Sequence, residues 1–126
     1  MNIQEKIIDT PVLIIDDEED ICFMLSNILR RKAFASDAVH SLAEASQWLM
    51  DKSPAIIFLD NNLPDGKGVE YLHELKKMLP ASKVILITAY DTPADRKLAI
   101  ENGADEFIGK PFSRHHIYSV VDKLLN

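Results

Sequence analysis

The stretches VLIIDD (residues 12–17) and AIIFLD (residues 55–60) determine the architecture predicted for this chain. Each contains a short apolar run, the pattern of a strand buried on both faces of a parallel sheet. Each run ends in carboxylates, Asp16 and Asp17 in the first stretch and Asp60 in the second. Ligands bind at the carboxyl ends of strands in open α/β sheets. We therefore expect the three carboxylates to meet at one edge and form a cation-dependent phosphorylation site.

The rest of the chain predicts three further strands and five helices. Apolar runs alternate with segments of helical period, without a repeat or a linker, so we expect one domain over residues 1–126. The five predicted strands are Val12–Ile15, about Phe34–Ala38, Ala55–Leu59, Val84–Ile87 and Glu106–Gly109. Right-handed crossovers through single helices make a doubly wound parallel α/β sandwich the natural architecture.

Capping signals and apolar stripes mark the helices. Ser41 and Glu44 form a capping box, and Thr92 followed by Pro93 marks another helix start. The predicted helices carry Ile21, Met24, Leu25, Ile28 and Leu29; residues 41–49; residues 69–79; residues 92–103; and Ile117, Val120, Val121 and Leu124. Cys22 and Phe23 lie off the first of these stripes. Phe23 then either belongs to a docking face for a kinase or packs beneath a loop.

Composition narrows the function classes. The net charge is −6, and no basic cluster exceeds Arg30-Arg31-Lys32, so direct nucleic acid binding is not expected. No apolar stretch approaches the ~20 residues that span a bilayer, and no signal sequence is recognisable, so we expect a cytoplasmic protein without membrane contact. The single cysteine excludes an internal disulfide.

Carboxylates gathered at one sheet edge require a cation. Unit charges ~4 Å apart repel by about 4 kcal/mol at an effective dielectric constant of 20. Mg²⁺ prefers such hard oxygen ligands, and an aspartate beside it can attack a phosphoryl group. Thr88 and Lys110 follow the fourth and fifth strands, where a hydroxyl and a cation can contact phosphate.

These residues together resemble those of a receiver domain of a two-component response regulator, like the chemotaxis receiver. The resemblance covers nearly the whole chain and rests on five motifs in order: Asp16-Asp17, Leu59-Asp60, the LPDG-x-G turn of residues 63–68, Thr88-Ala89 and Lys110-Pro111-Phe112. It implies a flavodoxin-like fold with strand order 2-1-3-4-5. It also implies a signalling switch rather than an enzyme with an external substrate.

The resemblance also implies the roles of single residues. Asp60 would be the phosphoacceptor, charged by a sensor histidine kinase. Asp17 and Asp60 would bind Mg²⁺, with Mn²⁺ as a substitute, while Asp16 would act through water and Asn62 through its main-chain carbonyl. Thr88, the amide of Ala89 and Lys110 would contact the phosphoryl group. The Lys110-Pro111 bond would be cis.

A conformational switch is implied as well. Phosphorylation would draw Thr88 inward and let Phe107 occupy the vacated space, which changes the face formed by helix 4, strand 5 and helix 5. That face would control an output domain or a downstream protein, and it would also support a homodimer. Asn62 and Tyr90 occupy the positions that tune loss of the phosphoryl group, and we expect the bulk of Tyr90 to hinder water.

Simpler interpretations stand beside this one. Acidic residues 16–20 are also favourable at a helix N-terminus, and the four histidines are expected to be solvated. A phosphatase of the haloacid dehalogenase type would place its nucleophile on the first strand. A receiver-shaped binding module would lack one of the acids, the Thr or the Lys, which are all present here. The sequence leaves open whether the chain acts alone or belongs to a larger regulator.

Overall fold

A computed structural model describes residues 12–125, which form a five-stranded parallel sheet covered by helices on both faces. The strands are β1 (Val12–Ile15), β2 (Ser36–Val39), β3 (Ile56–Asp60), β4 (Lys83–Thr88) and β5 (Glu106–Gly109). The helices are α1 (Glu19–Arg30), α2 (Leu42–Trp48), α3 (Gly68–Met78), α4 (Pro93–Glu101) and α5 (Arg114–Leu125). A short antiparallel hairpin, Asn62–Leu63 with Gly66–Lys67, connects β3 to α3.

The strand order is β2-β1-β3-β4-β5, as predicted. Alternate side chains of the buried strands enter two separate cores. Leu13 and Ile15 pack toward α2, α3 and α4, whereas Val12 and Ile14 pack toward α1 and α5. The chain is therefore doubly wound around a sheet with two hydrophobic faces.

The strand register sets the position of the polar residues. Ile15 of β1 lies beside Leu59 of β3, so the next residue of each strand, Asp16 and Asp60, falls at the same edge. Thr88 pairs with Gly109, which brings Lys110 to that edge as well. The parallel register thus collects residues from four strand ends that are far apart in the sequence.

The predicted strand boundaries needed small corrections. β2 covers Ser36–Val39 rather than Phe34–Ala38, because the register of the sheet pairs Val12 with Ser36. Asp60 and Thr88 are the last residues of β3 and β4 rather than the residues that follow them. The remaining strand predictions, β1 and β5, are confirmed.

Both predicted helix caps are present. The Ser41 side chain accepts a hydrogen bond from the Glu44 amide (3.1 Å), and the Thr92 hydroxyl accepts one from the Asp95 amide (3.1 Å). Glu44 does not complete the box with Ser41; its carboxylate accepts from the His40 amide instead, one residue earlier (2.8 Å).

The apolar stripe of α1 is rotated relative to the prediction. Cys22 is buried, and its thiol donates to the main-chain carbonyl of Asp16 (3.2 Å). Met24 was expected in the core but is 44% exposed, because the buried side of α1 runs through Cys22, Leu25 and Leu29. Phe23 is 70% exposed, so it does not pack beneath a loop.

None of the helices described between residues 12 and 125 combines the length and the apolar character that crossing a bilayer requires.

Candidate functional site

Three carboxylates converge at the carboxyl edge of the sheet. Asp16 extends β1, Asp17 follows it, and Asp60 ends β3. One oxygen atom from each of these side chains can be chosen so that all lie within 4.8 Å of one another. Asp16 and Asp60 are buried whereas Asp17 is exposed, so the cluster has a closed inner side and an open outer side.

A lysine ammonium lies among these carboxylates. Lys110 follows β5, and its Nζ is 2.9 Å from Asp16 Oδ2 and 3.4 Å from Asp60 Oδ1. The same atom donates a hydrogen bond to Glu18 Oε1 (2.8 Å). The Lys110–Pro111 peptide bond is cis. One nearly buried cation is thus shared by three acidic side chains.

Burial and mutual repulsion perturb the acidic groups. Burial raises the pKa of Asp60 to about 6, the charge of Asp16 adds to this effect, and Lys110 opposes it. Burial likewise raises the pKa of Asp16, although the hydrogen bond from the Glu18 amide and the charge of Lys110 both act to lower it. Burial alone would lower the pKa of Lys110, but its contacts with Glu18, Asp16 and Asp60 outweigh this and raise it. Keeping Asp16 and Asp60 ionised at this edge of the sheet therefore costs free energy. A bound cation would lower that cost.

The donor atoms fit a divalent cation. Asp16 Oδ2 is buried and lies 2.9 Å from Lys110 Nζ. Buried carboxylates are costly unless nearby cations compensate their charge, and this single ammonium is shared by three acidic side chains. Asp16, Asp17 and Asp60 together supply the hard oxygen ligands that Mg²⁺, Mn²⁺ and Ca²⁺ bind. Asn62 begins the hairpin two residues after Asp60, and its side-chain oxygen accepts from Lys67 Nζ (3.1 Å).

Thr88 presents a hydroxyl at the end of β4. Its side chain is fully buried, and Oγ1 accepts a hydrogen bond from the Tyr90 amide (3.1 Å). The hydroxyl proton is therefore available for another acceptor. The Thr88 carbonyl accepts from the Lys110 amide (2.7 Å), which ties the two strand ends together. Ala89 is exposed, and Tyr90 is 66% exposed.

Phe107 lies on β5 and is buried. The guanidinium carbon of Arg96, on α4, stands 4.6 Å from the centroid of the Phe107 ring. Arg96 also pairs with Asp91 in the loop between β4 and α4 (2.7 Å). The aromatic side chain is thus covered on its outer side by a cation from α4.

Four residues in and around the site make contacts that the sequence did not predict. Glu18 holds Lys110, and Gly68 packs against the Asp60 main chain. Buried Asn61 accepts from the Val69 amide (3.0 Å) at the start of α3. Asp65 accepts from the amides of Leu42 and Ala43 (2.8 and 2.9 Å). Asp65 and Gly68 belong to the LPDG-x-G turn, so the motif marked them as candidates. The partners of Glu18 and Asp65 could not be predicted, because they are distant in the sequence.

The expectation that all histidines are solvated was wrong for His40. Its Nδ1 lies 3.0 Å from the Asp16 carbonyl oxygen, and the side chain is partly buried. The Cys22 thiol contacts the same oxygen. Parallel pairing of β1 with β2 ends at Val39, so side chains rather than the sheet provide the donors for this carbonyl.

Comparison with known proteins gives one family match and several similar chains. The family model of the response regulator receiver domain matches residues 12–122. The probable transcriptional regulatory protein TcrX of Mycobacterium tuberculosis is 35% identical over 118 residues, which cover 90% of this chain and 49% of TcrX. The chain spans about half the length of the curated relatives that it matches.

Two solved structures illustrate the similarity. The beryllofluoride-activated NtrC4 receiver domain dimer is 35% identical, with a TM-score of 0.86 and coverage of 90% of this chain and 94% of that one. A response regulator protein from Burkholderia pseudomallei, crystallised with a phosphorylated aspartic acid, calcium ion and citrate, is 26% identical, with a TM-score of 0.83. This second match covers 89% of this chain and 66% of that one.

Proposed function

Because the chain belongs to the family of response regulator receiver domains, a family of signalling switches rather than metabolic enzymes, we propose that Asp60 accepts a phosphoryl group from a phosphohistidine of a partner kinase. The observation that carries this proposal is the position of the Asp60 carboxylate, 3.4 Å from Lys110 Nζ and within the cluster formed with Asp16 and Asp17. Of the three carboxylates, Asp60 alone is itself part of a strand, as the last residue of β3, whereas Asp16 and Asp17 follow β1.

The transfer is a displacement at phosphorus. An oxygen of the Asp60 carboxylate forms a bond to phosphorus while the bond between phosphorus and the histidine nitrogen breaks. The bonding electron pair returns to the imidazole. Asp60 must be ionised to attack, which its pKa of about 6 permits at neutral pH. The phosphorylated state is lost by hydrolysis. A water oxygen forms a bond to phosphorus while the bond between phosphorus and the Asp60 oxygen breaks, which releases inorganic phosphate and restores the carboxylate.

A divalent cation, Mg²⁺ or Mn²⁺, would be held by the carboxylates of Asp17 and Asp60, the main-chain carbonyl of Asn62 and, through water, Asp16. When bound it would neutralise charge on the transferred oxygens. The convergence of the three carboxylates, with one oxygen atom of each within 4.8 Å of the others, supports this assignment.

The remaining residues bind the phosphoryl group. Lys110 would pair with one phosphoryl oxygen, since its ammonium already lies beside Asp60. Thr88 would donate its hydroxyl proton to another oxygen, and the Ala89 amide would donate to the phosphoryl group as well. Thr88 and Lys110 are joined through their main chains, so movement of either residue reaches the other.

The switch would run from Thr88 to Phe107. Movement of the Thr88 hydroxyl toward a phosphoryl group would open space beside β5 for the Phe107 ring, which Arg96 covers from outside. The face of α4, β5 and α5 would then change, and with it the contact with an output domain, a downstream protein or a second copy of the chain. Asn62 and Tyr90 would set the lifetime of the phosphorylated state.

The whole chain, residues 1–126, would act as one such receiver. The match over residues 12–122 and the single sheet support this extent.

The test is the intact mass of the protein after incubation with acetyl phosphate and Mg²⁺. We expect one phosphoryl adduct, which is absent without Mg²⁺ and absent in Asp60→Ala. Asp51→Ala is the matched control, because Asp51 is an exposed aspartate outside the site, and this variant should form the adduct normally.

The alternatives give different results. A receiver-shaped binding module would form no adduct although it is folded, and the acidic cluster would then be structural. A phosphatase would release phosphate continuously from acetyl phosphate without retaining an adduct.

A further inference from the structure

We propose that Glu18 is a positioning residue that competes with the phosphoryl group for the ammonium of Lys110 and so weakens phosphoryl binding. This inference rests on the proposed function and deepens it. It assigns a role to an acidic residue just outside the carboxylate cluster, in the connection between β1 and α1.

Lys110 has three acidic contacts. Its Nζ donates a hydrogen bond to Glu18 Oε1 at 2.8 Å, and it lies 2.9 Å from Asp16 Oδ2 and 3.4 Å from Asp60 Oδ1. Glu18 thus makes the shortest of the three contacts and occupies one of the three protons of the ammonium. A charge-assisted hydrogen bond of this kind fixes the direction of the lysine head group.

Glu18 differs from the other acids in exposure. Its side chain is 59% exposed, whereas those of Asp16 and Asp60 are almost fully buried. Glu18 is therefore the solvent-accessible acid among the contacts of Lys110. Its charge would repel phosphoryl oxygens near the ammonium, and its hydrogen bond occupies a lysine proton that a phosphoryl oxygen would otherwise accept.

The main chain holds Glu18 in this position. The Glu18 amide donates to Asp16 Oδ1 (2.9 Å), and its carbonyl accepts from the amides of Ile21 and Cys22 at the start of α1. Its backbone is therefore anchored at both ends, while the side chain contacts Lys110. A side-chain substitution should leave these main-chain contacts in place.

Glu19 provides a matched control. It is the next residue, it is exposed and acidic, and it lies in the first turn of α1. Among the described residues Lys110 pairs with Asp16, Glu18 and Asp60 but not with Glu19. Glu18→Gln and Glu19→Gln remove the same charge, but only the first replaces a charged acceptor of the lysine by a neutral, weaker one.

The experiment measures binding of beryllofluoride, which adds to a carboxylate as a phosphoryl group does, in the presence of Mg²⁺. Fluorine NMR gives the bound fraction for the full chain without any chemical turnover. We expect Glu18→Gln to bind beryllofluoride about three- to tenfold more tightly than the wild type, the effect of removing one charged contact at the edge of a buried site. Glu19→Gln should stay close to the wild type.

Several outcomes would overturn the inference. Unchanged or weaker binding by Glu18→Gln would show that Glu18 does not compete for Lys110. An equal gain in both variants would assign the effect to net charge alone. Failure of the proposed function looks different, because wild-type protein would then bind no beryllofluoride and Asp60→Ala would behave in the same way.

Discussion

Gly68 lies directly against the main-chain carbonyl of Asp60. A Cβ atom at position 68 would overlap this oxygen, and it would also press on the side chain of Leu59. Gly68 is the first residue of α3, and its amide donates to the carbonyl of Asn61, the residue after Asp60 (3.0 Å). Position 68, the second glycine of the LPDG-x-G turn, thus requires glycine because its Cα lies so close to the main chain of the proposed phosphoacceptor.

Gly68→Ala should destabilise the protein by about 1–3 kcal/mol, as overpacking of a tight contact does. The displaced Asp60 backbone should also slow formation of the phosphoryl adduct. Chemical denaturation and intact mass measure the two effects. Gly109→Ala is the control, because a Cβ there meets Asp91 only at ordinary contact distance, 3.4 Å. Equal stability of the two variants would contradict this explanation.

Asp60→Asn should stabilise the cation-free protein at neutral pH. The pKa of Asp60 is raised from 3.8 to about 6 in the fold, so the charged carboxylate favours the unfolded chain above pH 6. About 2 pKa units correspond to at most about 3 kcal/mol. The gain should shrink as the pH falls from 6 toward 3.8 and vanish only well below 3.8, where the carboxyl is neutral in both states.

Denaturation in EDTA across this pH range measures the difference between wild type and variant. Asp51→Asn, at an exposed position, should show no comparable gain. A gain for Asp60→Asn that grows on acidification would have the wrong sign for a buried carboxylate.

Asp65→Ala should lower the midpoint of thermal unfolding by a few degrees at neutral pH. Asp65 accepts two hydrogen bonds from the first amides of α2, and these lower its pKa. A lowered pKa contributes stability above the unfolded value that is lost as the pH falls through the folded value. The difference from wild type should therefore narrow in acid, whereas Asp51→Ala should match wild type throughout.

Tyr90→Ala should shorten the lifetime of the phosphorylated state several-fold, because the ring would no longer hinder water. The Tyr90 ring is exposed while its amide is bonded to Thr88 Oγ1, so truncation keeps the main-chain contact. Decay is followed by intact mass after removal of the phosphodonor. Met50→Ala removes an exposed apolar side chain just beyond the end of α2, outside the site, and should not change the rate. An unchanged lifetime in Tyr90→Ala would refute the role.

Local sequence determined the elements and the composition of the acidic cluster. Short apolar runs predict buried strands because successive side chains point to opposite faces of the sheet, where each face has its own core. Ser41 and Thr92 cap helices by accepting from amides three residues away. Carboxylates placed directly after two such runs must meet when the strands pair in parallel. Asp16, Asp17, Asp60, Thr88 and Lys110 were predicted in this way, and they are brought to one edge of the sheet.

Only the tertiary structure decided which partners these residues take. Glu18 and Lys110 are 92 positions apart and Asp65 is 23 from Leu42, and no periodicity of the sequence joins them. Cys22 is buried instead of Met24 because of the rotation of α1 about its own axis against the sheet. The packing of the whole helix on the sheet determines this rotation. Contacts within a turn follow from residue type, whereas contacts between elements follow from how whole surfaces pack.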